Sequence, residues 1–211
     1  MTDKEFIEEL KLLGITPTTE QLSKLEEYYN LLVEWNSKIN LTRIIERKEV
    51  YLKHFYDSLT IKKIVDLNEY NTLCDIGTGA GFPGMVLKIF YPHLEIVLVD
   101  AREKKLKFLD EVIRKLDLKK IQTKHIRAEE YTDKFDIVTS RAVANIEKLM
   151  NYTMHLVKKN GKLIAMKGDI TSELTNEVKE KIIKKYQIEE IIEFDLPIEN
   201  SKRSLISIKN K

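Results

Sequence analysis

One cysteine and four histidines stand among the 211 residues of this chain. A single thiol, Cys74, leaves no partner for an internal disulfide and no Cys-rich metal centre. The histidines, His54, His93, His125 and His155, lack any spacing suited to a shared metal ion. Charge of one sign is also scarce: 36 basic against 34 acidic side chains leave a net +2. That excludes a surface coated overall for nucleic acid, so any such contact needs a local patch. No apolar run is long enough to span a bilayer. The first ten residues are acidic and amphipathic, unlike a secretory signal, so a cytoplasmic protein with no membrane attachment is expected. The sequons at Asn40 and Asn151 have no meaning in that compartment. Internal repeats and low-complexity linkers are lacking too.

What is present is an ordinary globular composition, 43% hydrophobic and 33% charged. The texture changes near residue 70. Before it, the patterns predict helices only, over 3–13 (ending near Gly14), from a Thr18/Gln21 capping box to Trp35, and over 46–53 and 57–67. After it, β-rich runs at 72–76, 95–99, 121–126, 135–139 and 161–166 alternate with helical stretches at 83–91, 103–116, 145–157 and 171–185. That alternation indicates βαβ units and a parallel sheet. Two last strand-like runs, 187–195 and 203–209, have no helix between them and should pair antiparallel. The expected fold is therefore α/β, a Rossmann-like seven-stranded sheet of the class I AdoMet-dependent methyltransferase kind. Residues 1–70 are expected as a helical extension and 71–211 as the methyltransferase domain, packed as one unit.

The run Asp75-Ile-Gly-Thr-Gly-Ala-Gly-Phe-Pro-Gly84 lies between a strand and a helix, the entry to a nucleotide-type cofactor site. Two readings compete. Gly79-Ala-Gly81-Phe-Pro-Gly84 fits the G-x-G-x-x-G of dinucleotide folds, and Asp75 through Gly81 fits the D-x-G-x-G-x-G of AdoMet-dependent methyltransferases. Asp75 favours the second. A carboxylate at the strand end would repel a pyrophosphate and attract a ligand bearing an ammonium and a sulfonium. Asp75 capping its own turn is the simpler structural role.

Ligands of a doubly wound sheet sit beyond the carboxyl ends of the strands. There Asp100 is the candidate for ribose hydroxyls, against a plain helix N-cap. Arg127-Ala128-Glu129-Glu130 is the candidate adenine segment, against a simple helix start. The cofactor set is thus Asp75, Gly77, Thr78, Gly79, Gly81, Phe82, Asp100, Ala128 and Glu129, with Arg141 beside it. Thr139-Ser-Arg141-Ala-Val-Ala144 marks the acceptor side. It has no D/N-P-P-Y/F loop for exocyclic amines, and Cys74 sits inside the first strand, away from any nucleophilic role. Arg141 remains, a side chain suited to a guanine edge or a phosphate. Lys167 could position a phosphate. His54 and Asp57 share a helical face, but no third partner for a dyad is evident. Basic clusters at Arg102, Lys104, Lys105, Lys107, at Lys119, Lys120, Lys124, Arg127, and at Arg43, Arg47, Lys48, Lys53 permit an RNA surface.

Nearly the whole chain resembles the RsmG (GidB) family. The resemblance rests on Trp35-Asn36 with Asn40-Leu41-Thr42, His54 with Asp57-Ser58-Leu59, and the Asp75–Gly84 run. It continues through Lys104-Lys105 with Phe108-Leu109, Arg127 to Glu130, Ser140-Arg141-Ala142 and Met166-Lys167-Gly168. Lys53 stands where arginine is expected, and Ala101 where serine is frequent. The resemblance implies methyl transfer from S-adenosyl-L-methionine to guanine N7 of 16S rRNA near the decoding centre; the expected partner is 16S rRNA or the small ribosomal subunit, and a monomer is expected. Arg141 is expected as the catalytic residue, with Arg141, Lys167 and Arg203 on the RNA. Another methyl acceptor, a non-catalytic ribosome-binding module and an NAD(P)-dependent oxidoreductase remain open at this level.

Overall fold

The computed structural model describes residues 1–141 and 144–211. Helix α1 (Asp3–Leu12) opens on a Thr2/Glu5 capping box, and α2 (Thr19–Asn36) on the Thr18/Gln21 box evident in the sequence. Leu25, Tyr28 and Leu32 of α2 are fully buried. The next stretch departs from the expected helices at 46–53 and 57–67. A single turn, α3 (Arg47–Val50), widens into a π-helix over Tyr51–Tyr56, and α4 (Asp57–Leu59) tightens into a 3-10 turn at Thr60–Lys63. Tyr51, Leu52, His54, Phe55, Tyr56 and Asp57 are all buried. With side chains packed on every side of the segment, tertiary contacts outweigh regular 3.6-residue winding.

The sheet follows: β1 (Thr72–Ile76), α5 (Gly84–Phe90), β2 (Glu95–Asp100), α6 (Glu103–Lys115), β3 (Ile121–His125), β4 (Phe135–Arg141), α7 (Ile146–Thr153), β5 (Val157–Lys167), α8 (Asn176–Lys185), β6 (Tyr186–Asp195) and β7 (Lys202–Asn210). Strand order is β3-β2-β1-β4-β5-β7-β6. The first five strands run parallel, and β7 lies antiparallel between β5 and β6. Two boundaries differ from expectation. β5 starts at Val157, not 161, because Gly161 admits the β4 backbone: a Cβ there would lie 2.6 Å from Asp136 O. α8 starts only at Asn176, because Thr175 Oγ1 accepts from Val178 N and caps it there.

Successive strand residues face opposite sides. Leu73, Ile96, Leu98, Ile137 and Ile164 join one core with α1, α2, α5 and α6. Cys74, Val97, Val99, Val138 and Leu163 join another with α7 and Ile182 of α8. The first core crosses the 70/71 boundary freely. The fully buried Tyr28 donates its hydroxyl to Ala80 O, inside the glycine turn. The helical extension therefore packs directly on the loop that the sequence marks as functional. No helix among the described residues is long and apolar enough to cross a membrane.

Candidate active site

β1 delivers the chain into the glycine turn, where Gly77 N and Thr78 N both donate to Val99 O at 2.9 and 3.1 Å. Gly81 adopts φ +98°, and a Cβ on it would sit 2.4 Å from Tyr28 Oη. Only glycine satisfies both demands. At Gly84 a Cβ would collide with Leu98 Cδ2 at 2.3 Å and Asp75 Oδ2 at 2.8 Å, so this glycine lets α5 start against the sheet.

Asp75 is wholly buried. Its Oδ2 accepts from Thr78 Oγ1 at 2.7 Å and Gly84 N at 2.9 Å, clamping both ends of the turn. The capping role weighed in the sequence is the one the geometry shows. Oδ1 is the one buried side-chain polar atom among the described residues with no partner. Burial pushes the carboxyl up to about 7, against the Thr78 and Gly84 hydrogen bonds. The carboxyl thus lies beneath the turn, able to balance a cation above it once ionised. Asp100, at the tip of β2, takes Gly79 N on Oδ2 and Arg102 N on Oδ1, both at 2.9 Å. A carboxylate has about four acceptor sites, so capacity for a diol remains.

A cavity of about 450 Å³ opens beside this turn. Gly77, Thr78, Gly79 and Phe82 line it, together with Leu41, Thr42, His54, Asp57, Lys105, Arg141, Lys167 and Arg203. Asp100, Ala128 and Glu129 do not line it. Ala128 is buried against the second core and Glu129 is exposed, both on a 3-10 turn (Ala128–Glu130) past β3. The cavity therefore covers the acceptor side and the glycine turn, not the expected adenine segment.

Arg141 ends β4 and is the best-anchored group in the cavity. Nη1 donates to Lys53 O at 2.7 Å and to Asp57 Oδ2 at 3.1 Å. Nη2 lies 3.0 Å from His54 Nδ1. The guanidinium also lies 5.2 Å from the Phe82 ring centroid, and the His54 ring stacks on Phe82 at 4.3 Å. The missing third partner of His54 and Asp57 is therefore Arg141, 84 positions beyond Asp57 in the chain. The widened turn supplies Lys53 O and His54, and the start of α4 supplies Asp57. Ala142, of the Ser-Arg-Ala signature, and Val143 lie outside the described residues.

Asp57 bridges two arginines, since Arg203 Nε donates to its Oδ1 at 3.0 Å. Lys167, expected to be available for a phosphate, is instead buried, donating to Ala144 O and pairing with Glu173 at 2.9 Å. Lys53 pairs with Glu49 and Glu199, and Arg47 with Asp3 and Glu26. Two members of the Arg43–Lys53 cluster are thus neutralised by acids, partly from remote stretches of the chain. Burial, reinforced by the Arg141 charge, pushes His54 down to about 3, so its imidazole is neutral. No His/Cys/Asp/Glu group able to hold a metal occurs among the described residues.

A sheet of this order, with a glycine turn after its first strand and an acid at the tip of its second, defines the class I AdoMet-dependent methyltransferase fold. Solved structures share it. A SAM-dependent methyltransferase from Aquifex aeolicus aligns with TM-score 0.58 and 15% identity, covering 77% of this chain and 93% of that one. The YcgJ protein from Bacillus subtilis aligns at 0.57 and 14%, covering 75% and 100%. Within that class the chain belongs to the GidB family, rRNA small subunit methyltransferase G, whose model matches residues 21–205. Ribosomal RNA small subunit methyltransferase G of Bacillus subtilis (strain 168) is 44% identical, covering 99% of this chain and 90% of its own. The protein of that description from Acetivibrio thermocellus is 45% identical, covering 98% and 87%.

Proposed function

We propose that this chain transfers a methyl group from S-adenosyl-L-methionine to N7 of a guanine in 16S rRNA, near the decoding centre of the small ribosomal subunit. The observation that carries this reading is the lack of an available base. Among the described residues, His54 and Asp57 are the only imidazole and carboxylate lining the cavity. Both Asp57 oxygens receive guanidinium N–H groups, and His54 is held neutral against Arg141. Guanine N7 presents a lone pair without a proton, so a site with no free base suits it. An exocyclic amine or a hydroxyl acceptor would have to lose a proton to one.

The residues present fit the cofactor. The glycine turn gives backbone a close approach, Asp100 keeps acceptor capacity for a ribose, and the unpartnered Asp75 Oδ1 lies beneath the turn. The bound cofactor supplies an electrophilic methyl on a sulfonium. We assign Asp75, Gly77, Thr78, Gly79, Gly81, Phe82 and Asp100 to holding it, with Ala128 and Glu129 on its adenine side. Asp75 acts through the field of its charge rather than by contact, because it is buried under the turn.

Arg141 orients the acceptor. Two Nη1 hydrogens and one Nη2 hydrogen go to Lys53 O, Asp57 and His54. Of the guanidinium's five donors that leaves Nε–H and one Nη2–H for a guanine O6 or an adjacent phosphate, with N7 left free. Rigid placement of these donors is the catalytic contribution, through alignment and electrostatics. The RNA backbone runs beyond the mouth, over a neighbouring groove lined by Ile39, Asn40, Arg102, Glu103, Lys104 and Lys105. Lys105 borders both cavities, and none of the ion pairs among the described residues includes Arg102, Lys104 or Lys105. Those side chains are better placed for phosphates than Lys167, which is already paired. We assign the protein to the cytoplasm, as a monomer.

The test is incubation with labelled AdoMet and small ribosomal subunits lacking the modification, followed by mapping of the labelled base. Label on N7 of one 16S guanine is expected. Label on another atom or molecule, or none, refutes the reading.

A further inference from the structure

We propose that the Thr42 hydroxyl donates to O6 of the target guanine and selects guanine over a purine lacking that oxygen. The assignment rests on the guanine-N7 reading above and extends it to a residue with no role in that reading. It follows from counting valences along a chain of three side chains. Arginine carries donors only and keeps its proton at any ordinary pH. Arg141 Nη2 lies 3.0 Å from His54 Nδ1, so Nδ1 must be the acceptor. Lys53 O also lies 3.1 Å from that nitrogen, but a hydrogen on Nδ1 to reach it would face the Arg141 Nη2–H, which has no lone pair to offer. With Nδ1 unprotonated, the neutral ring carries its hydrogen on Nε2. That N–H faces Thr42 Oγ1 at 3.1 Å and donates to it.

Thr42 Oγ1 receives a second hydrogen bond, from Ile44 N at 3.1 Å. Its two lone pairs are then filled, and only the hydroxyl hydrogen remains. No described residue accepts that hydrogen, and Thr42 lines the cavity. The hydroxyl is thus fixed as a donor toward the acceptor side. Asn36 sets the height of this donor, because its Oδ1 accepts from Leu41 N at 2.8 Å and Thr42 N at 2.9 Å. The Trp35-Asn36 and Asn40-Leu41-Thr42 pieces of the sequence signature therefore serve one loop, and His54 ties that loop to Arg141. Guanine O6 neighbours N7 and is an acceptor, where adenine offers an amino donor. A donor locked by its own neighbours cannot turn to accept from adenine, so the wrong base leaves two donors facing each other.

The experiment compares wild type, Thr42→Val and Thr42→Ser on small subunits assembled on semisynthetic 16S rRNA with guanine or 2-aminopurine at the target position. 2-Aminopurine keeps N7 and lacks O6. The readout is the ratio of kcat/KM for the two bases within each protein, which any loss of folded fraction leaves unchanged. Wild type should prefer guanine, and Thr42→Val should lose about tenfold of that preference, the range of one hydrogen bond. Thr42→Ser should restore it, and calorimetric AdoMet affinity should stay within about twofold in all three. An unchanged preference in Thr42→Val overturns the assignment while leaving the N7 reading intact. Absence of methyl transfer to guanine by wild type overturns both.

Discussion

Asp57→Asn is the sharpest single perturbation of this site. The Asp57 side chain is 7% exposed and bridges two guanidiniums, Arg141 at 3.1 Å and Arg203 at 3.0 Å. The amide keeps the shape, loses the charge and presents an NH2 where one arginine also presents N–H. Neutralising one partner of a buried pair costs about 3–5 kcal/mol. The arginine side chains are 15% and 22% exposed, so water recovers part of that. We expect a net loss of about 2–4 kcal/mol. With a urea slope near the upper end for single domains, about 3 kcal/mol/M, the unfolding midpoint falls by roughly 1 M. Arg141 also loses its one anionic partner among the described residues. Methyl transfer by the folded fraction should then fall about 10- to 100-fold, as for a misplaced orienting group, with AdoMet affinity nearly unchanged. Equilibrium urea unfolding and single-turnover transfer measure the two effects. A variant within about 0.5 kcal/mol of wild type and equally fast would refute the view that Asp57 sets the position of Arg141.

Three further outcomes follow from the same geometry. Replacing Arg102, Lys104 and Lys105 together by alanine should weaken RNA binding and lower the salt slope of log K by about 2, near 0.7 per single-strand phosphate, measured by titration at several salt concentrations. His54 is held down to about 3 when folded and returns to 6.5 when unfolded, so its contribution to stability is complete above 6.5 and is lost as pH falls toward 3. Denaturant melts across that range should show His54→Gln losing this acid sensitivity. Asp75 has the opposite sign. Its carboxyl rises from 3.8 to about 7 on folding, so its neutral form favours the native state below 3.8, and that advantage is lost as pH rises through 7. A cationic ligand favours the ionised form, so AdoMet affinity should increase between pH 6 and 8 in wild type and stay flat in Asp75→Asn, by calorimetry.

The glycine run was legible because its chemistry is local. Gly81 and Gly84 answer to a backbone angle and to close approaches that neighbouring residues announce. The sheet was legible because alternating runs and the missing helix before 203–209 fix its type. The role of Asp75 could not be decided from sequence, since a turn-capping and a ligand-facing carboxylate look alike until burial is known. Lys167 and Arg203 read as available cations because their acids, Glu173 and Asp57, come into contact only through the fold. The π-turn was illegible for a related reason. His54 and Asp57 keep ordinary helical spacing, and the group that gives them meaning, Arg141, belongs to a strand in the other half of the chain. The signature pieces at Asn36 and Thr42 gave no hint of chemistry, because Asn36 acts through the Leu41–Thr42 backbone and the Thr42 hydroxyl is set only by His54 and Ile44.

The most direct measurement is nucleoside mass analysis of 16S rRNA from cells lacking this protein, complemented with wild type or with Arg141→Ala. The account predicts that wild type restores one 7-methylguanosine and that Arg141→Ala, expressed and folded to the same level, does not. Full restoration by Arg141→Ala, or no new 7-methylguanosine with wild type, would contradict it.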